Sequence, residues 1–264
     1  MTIYRNICLV CVLLISLTFS GCKGRKLPSI NLFPVSDDIA LGKQVAAEIE
    51  SKGQEYPLLP ERGNEEIYSY IRGITSKLLN TGKVKYKDDF AWQVKIINDP
   101  NTLNAFATPG GYIYVYTGLI KFLDSEDELA GVMGHEIAHA ALRHSTRQMT
   151  KLYGVKVVAK AALGDQTAIS QVAQGLLSLK FGRKHETEAD EYSVIYLCET
   201  GYNAAGAAGF FKKMEGQSGT PQFMSTHPNP GNRVKKIEDQ AGELSCNGSK
   251  TNKSEYDRIK SLLK

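Results

Sequence analysis

His135, Glu136 and His139, in the run His135-Glu136-Ile137-Ala138-His139, have the types and spacing for hydrolysis at a metal ion. Four helical residues turn the chain by about 400°, so the two imidazoles lie about 40° apart on one face, one turn above each other. That suits two corners of a tetrahedral zinc site. Glu136, beside the first histidine, can reach a water at an open corner and take its proton. Zinc would bring the pKa of that water towards about 7 and polarise a scissile carbonyl.

A catalytic zinc takes three protein ligands, so a third is expected downstream. The stretch 184–191 supplies His185, Glu186, Glu188 and Asp190. Glu186 and Asp190, four apart, share a helix face, while Glu188 points roughly opposite Glu186. One carboxylate could bind metal while the other orients a ligand histidine. Spacing leaves His185 open as the ligand.

The elements that must position these groups can be read outward from the motif. Ser125-Glu126-Asp127-Glu128 has the pattern of a capping box, in which Ser125 and Glu128 satisfy each other's free backbone donors. Its acidic residues suit the positive end of a helix dipole. Leu129, Val132, Met133, Ile137 and Ala140 follow at helical spacing, with small residues between them, so the motif sits mid-helix in an apolar stretch. On a continuous helix His144 falls about 140° from His139, a surface or supporting position rather than a ligand. Segments 104–107 and 112–116 alternate around Pro109-Gly110-Gly111 and predict a hairpin. Its edge beside the metal could accept an extended peptide as an added strand. Further periodicity predicts helices near 37–52 and 64–80, a strand at 92–97, and one or two amphipathic helices within 153–180. More helices are expected near 185–200, 204–216, 231–241 and 254–264. The 153–180 stretch is too short and polar to span a bilayer.

Three further segments carry a resemblance. Glu186-Thr187-Glu188-Ala189-Asp190 follows the histidine motif, and His227-Pro228-Asn229-Pro230-Gly231-Asn232-Arg233 follows that; Asn104-Ala105-Phe106-Ala107-Thr108-Pro109-Gly110-Gly111 precedes it. Together they resemble the ordered motifs of the HtpX and type I CAAX prenyl protease family of zinc metallopeptidases, over roughly residues 36–242. The chain resembles the soluble periplasmic BepA/LoiP-like branch, without the helical repeats of the former. The resemblance implies one Zn²⁺ per chain held by His135, His139 and Glu186, with Asp190 supporting the site. It implies Glu136, His227 and Arg233 as catalytic residues, the last two reaching in from the far side of a cleft. Asn104 and Ala105 would align the substrate. A state with His227 on the zinc would be self-inhibited. The expected fold is α+β, mostly helical: a zincin-like domain whose small sheet borders the active-site cleft with its edge strand.

The first 21 residues read as a lipoprotein signal peptide: Arg5 begins it, an apolar run extends from Ile7 to Phe19, and Ser20-Gly21-Cys22 ends it at a lipidation cysteine. A linker at 22–36 and a metallopeptidase domain at 37–264 follow. Cys8 and Cys11 leave with the signal, and Cys22 is acylated. Cys198 and Cys246 remain as an even pair in an oxidising compartment, expected to form a disulfide. Lys23 after the lipid anchor points to an outer-membrane lipoprotein facing the bacterial periplasm. A net charge of +4, without a basic stripe, argues against nucleic acid as a partner. The expected function is a lipid-anchored zinc endopeptidase acting on unfolded, misfolded or mislocalised envelope polypeptides. The alternative is a latent peptidase serving mainly as a chaperone or assembly factor for outer-membrane proteins.

Overall fold

Helix α1 (Val35–Ser51) buries Leu41, Val45 and Ile49, one residue per turn on a single face, with Asp37 and Asp38 in its first turn. The computed structural model describes residues 31, 33–215, 221–228 and 231–263. The expected signal peptide, Cys22 and most of the expected linker lie outside the described residues, as do Asn229 and Pro230. Helix α2 (Glu65–Leu79) packs Ile67, Ile71, Ile74 and Leu78 inward. Strands β1 (Gln93–Ile97), β2 (Ala105–Thr108) and β3 (Tyr112–Tyr116) form one sheet in the order β1-β3-β2. β2 and β3 pair antiparallel as the predicted hairpin; β1 pairs with β3 in parallel. The turn between β2 and β3 requires left-handed backbone at Gly110 (φ 73°) and Gly111 (φ 84°), which glycine adopts without a Cβ clash.

Strand alternation divides the interior in two. Val94, Ile96, Ala105, Ala107, Ile113 and Val115 belong to the larger core, shared with α2. Ile97, Tyr114 and Tyr116 belong to a second core with α1. The larger core is centred on α4 (Glu126–Ala141), whose side chains from Leu129 to Ala141 are all buried. α3 (Thr117–Phe122) precedes it and was not anticipated, being too short for a periodic signal. α7 (Arg183–Cys198) lies tightly along α4: Ser193 Oγ donates to the Gly131 carbonyl at 2.7 Å. A Cβ on Gly131 would run into the backbone of Ala207, so small residues in α4 let its neighbours approach.

α5 (His144–Ala162, interrupted at Gly154) and α6 (Gln166–Leu177) pack with α1 in the second core. α8 (Gly209–Met214), α9 (Gln222–Thr226), α10 (Arg233–Glu243) and α11 (Lys253–Leu262) complete the described chain. The fold is therefore mostly helical with a three-stranded sheet, and residues 31–264 form one unit. Among the described residues, no helix is long and apolar enough to cross a membrane.

Two local expectations need correction. The capping box at Ser125 does not close: the Ser125 hydroxyl donates to Asp127 Oδ1 at 2.5 Å, and Glu128 accepts from the Asp124 amide at 2.8 Å. The Ser125 side chain makes no cap hydrogen bond, because its nearer carboxylate neighbour competes for the hydroxyl. The helix also does not continue through His144. Arg143 adopts left-handed backbone (φ 59°) and separates α4 from α5. Its guanidinium is tied to Asp38 and donates to the carbonyls of Phe33 (2.7 Å) and Pro34 (2.9 Å). These contacts offset the roughly 1–2 kcal/mol that this backbone costs a residue with a Cβ.

Cys198, ending α7, is disulfide-bonded to Cys246, beyond α10, across 48 residues of chain. A loop of that length restricts the unfolded chain by about 4 kcal/mol in the chain-entropy estimate. Replacing both cysteines with serine should lower the unfolding free energy by about 2–4 kcal/mol in a urea titration. An unchanged midpoint would show that the bridge contributes nothing to stability.

Candidate metal centre

α4 presents His135, Glu136 and His139; α7 presents Glu186 and Asp190; His227 follows α9 and Arg233 opens α10. One donor atom from each of His135, His139, Glu186 and His227 falls within 4.8 Å of the others, and all four residues are buried. His135 Nε2 lies 2.9 Å from His139 Nε2 and 3.6 Å from Glu186 Oε2. His139 Nε2 lies 3.4 Å from Glu186 Oε1. His227 Nδ1 stands 3.2 Å from Glu186 Oε1 and 3.3 Å from His135 Nε2. A tetrahedral zinc with bonds of about 2.0–2.1 Å needs donor separations of about 3.3–3.4 Å, so the residues present fit that ion.

The charges suit the same role at three of the four donors; at His227 burial works to lower the imidazole, but Glu136 and Glu186 outweigh it and raise it. Burial lowers the His135 and His139 imidazoles, favouring the neutral form that ligates metal. Burial also works to raise Glu186, but His227, His139 and His135 outweigh it and hold its carboxyl well below the usual range. Glu136 differs: burial dominates and raises its carboxyl to about 7. Neither of its oxygens makes a hydrogen bond of strict geometry among the described residues, but His227 Nε2 lies 3.5 Å from Oε1 and the Ala107 backbone approaches closely enough to oppose the effect of burial.

Outside the four donors, His135 Nδ1 meets Asp190 Oδ1 at 2.9 Å. Arg233 grips that carboxylate with two bonds of 2.6 Å, from Nε to Oδ2 and from Nη2 to Oδ1. Its Nη2 is also 3.1 Å from Glu186 Oε2, and its guanidinium lies over the Phe211 ring at 4.0 Å. Aromatic walls that sequence reasoning missed enclose the site. Phe181 stacks on His139 (4.0 Å between centroids), and Phe223 stacks on His227 (4.4 Å). Nothing local in the sequence marks these two rings, since each reads as an ordinary core residue.

His185 stands apart from the four donors and stacks on the ring of His144 at 4.3 Å. Asn104 and Ala105 are buried, and the Asn104 carbonyl accepts from the Tyr116 amide at 3.1 Å. Just before them, the Leu103 carbonyl accepts from the Phe223 amide at 3.1 Å. The segment carrying Phe223 and His227 thus both brings His227 into the donor cluster and holds the start of the β2 edge. In this arrangement Glu136 and His227 are each only 1% exposed.

The signature described as "Peptidase family M48" matches residues 68–241. Mitochondrial metalloendopeptidase OMA1 of Schizosaccharomyces pombe is 35% identical over 178 residues, covering 64% of this chain and 52% of the relative. Metalloprotease LoiP of Escherichia coli is 30% identical over 225 residues, covering 80% of this chain and 81% of the relative. Metalloprotease YcaL of Escherichia coli is 28% identical over 215 residues, covering 78% and 80%. The chain spans about half the length of the fission-yeast relative and 31% of the OMA1 of Arabidopsis thaliana.

Proposed function

Because the chain belongs to peptidase family M48, we propose that it is a zinc-dependent endopeptidase held in a latent state by its own His227 segment. The observation that carries this reading is the buried set of four donor residues with the buried Glu136 carboxylate beside it. Zinc held by His135, His139 and Glu186 would supply Lewis acidity and a water of lowered pKa. Glu136, whose carboxyl burial raises, accepts a proton from the attacking water and returns it to the leaving amine. His227 Nε2, 3.5 Å from Glu136, is placed to donate to a developing oxyanion once its Nδ1 leaves the fourth corner. Arg233 positions rather than reacts, since its donors are committed to Asp190 and Glu186.

Coverage of about four-fifths in both directions supports grouping the chain with LoiP and YcaL, both named metalloproteases. One relative in Vibrio cholerae is named a putative beta-barrel assembly-enhancing protease. With that name and the lipobox at Cys22, we place the chain on the periplasmic side of a bacterial envelope, acting on unfolded polypeptides there. Burial of Asn104 and Glu136 favours a second reading, a chaperone that seldom cleaves.

Zinc content and casein cleavage, read beside suppression of client aggregation, separate the two. A zinc-loaded chain that prevents aggregation but never cleaves, even after its closed segment is loosened, is not a peptidase. Phe223→Ala provides the loosening, because this buried ring stacks on His227 and packs on Phe210 at 4.9 Å between centroids. Losing a buried phenylalanine costs about 3–5 kcal/mol, here at the contact between the His227 segment and the larger core. Casein cleavage should rise at least several-fold, while His227→Ala should slow it. A folded Phe223→Ala protein with parental or lower activity would sink the latency reading.

A further inference from the structure

The two histidines of α4 are supported by different devices, and only the one behind His135 ends on a carboxylate at once. Behind His139 stands His144, whose Nδ1 lies 3.0 Å from His139 Nδ1. His144 is fully buried, and its Nε2 reaches Glu188 Oε2 at 3.2 Å. Glu188 retains 32% of its side-chain exposure and lies 3.9 Å from Lys184 Nζ.

The hydrogen-bond parity of this chain has one consistent solution when His139 ligates through Nε2. Its Nδ1–H then donates to His144 Nδ1, and His144 Nε2–H donates to Glu188. Each imidazole is neutral and in a defined tautomer, and the Glu188 carboxylate terminates the chain as its acceptor. The break at Arg143 makes this possible. On an unbroken helix His144 would face about 140° away from His139. The left-handed residue brings the ring back, and Asp38 with the carbonyls of Phe33 and Pro34 holds that residue in place.

We propose that His144 and Glu188 form a positioning relay that fixes the tautomer of His139 and so sets the metal affinity of the centre. The inference rests on the metal-centre reading above. It treats His144 as a residue acting through another, never touching substrate. Partners behind a ligand histidine typically change metal affinity 10–100-fold when removed.

Zinc affinity, measured by chelator competition on the full chain, gives a readout independent of hydrolysis. His144→Phe keeps a ring against His185 but removes the acceptor, and should weaken zinc binding by about 10–100-fold. His144→Asn returns an acceptor near the Nδ1 position and should bind about tenfold more tightly than the Phe variant. Glu188→Leu should weaken binding, whereas Glu188→Gln, which still offers an amide oxygen, should stay nearer the parent. A folded Phe variant with parental affinity overturns the relay, as does an Asn variant no better than Phe. Should His144→Phe fail to fold, parental affinity in Glu188→Leu overturns it just as well, since that carboxylate is partly exposed. Absence of zinc binding in the parent would instead refute the metal centre itself.

Discussion

Glu136→Gln is expected to take up zinc as the parent does and to lose peptide hydrolysis by about 10²–10⁴-fold, the usual contribution of a positioned acid–base group. Glutamine fills the same volume, so packing around a residue 1% exposed is kept. Glu136 is not among the four donors, which leaves metal affinity intact. What vanishes is a carboxylate able to hold and release a proton, whose pKa burial raises. Metal analysis and casein cleavage on one preparation decide the matter. If the variant cleaves within tenfold of the parent, Glu136 is not the base and the peptidase reading fails.

Arg233→Leu should destabilise the metal-free chain by about 3–5 kcal/mol in urea unfolding, the range for removing one member of a buried ion pair. Arg233 is 1% exposed and makes two bonds to Asp190, with Glu186 Oε2 3.1 Å away. Its loss leaves Asp190 and Glu186 without their shared cation, with only the histidines beside them. Arg233→Lys should recover little, because an ammonium cannot reproduce two parallel bonds or the stack on Phe211. Combining Arg233→Leu with Asp190→Asn should cost less than the sum of the single changes. A loss below about 1 kcal/mol for Arg233→Leu would mean that the pair does not hold the centre together.

Much of the architecture was legible where a periodic signal was long enough to outvote local exceptions. Helices expected near 37–52 and 64–80 are observed at Val35–Ser51 and Glu65–Leu79, and the alternating segments pair as β2 and β3. Short elements escaped: α3 and α9 are six and five residues long, too brief to show a face. The misplaced His144 has a more specific cause. Nothing in Leu142-Arg143-His144 announces a stop, as no glycine or proline is present. The break is imposed by Asp38 and two carbonyls that arrive from more than a hundred residues away.

The sequence by itself determined the chemistry available and its local geometry. His135 and His139 share a helix face because residues four apart lie about 40° from each other on a helix, and Glu186 and Asp190 share one for the same reason. Only the tertiary structure decided how the helices face each other. It turned Glu186 towards the histidines, sent Glu188 to His144, and left His185 stacked outside the donor set. It also carried His227, 92 residues from His135, to within 3.3 Å of that imidazole and into the donor cluster. Periodicity fixes directions within one element, whereas the distance between elements depends on which side chains fill the space between them. Here that space is closed to fit by Gly131 against Ala207 and by Phe181 and Phe223 around the imidazoles.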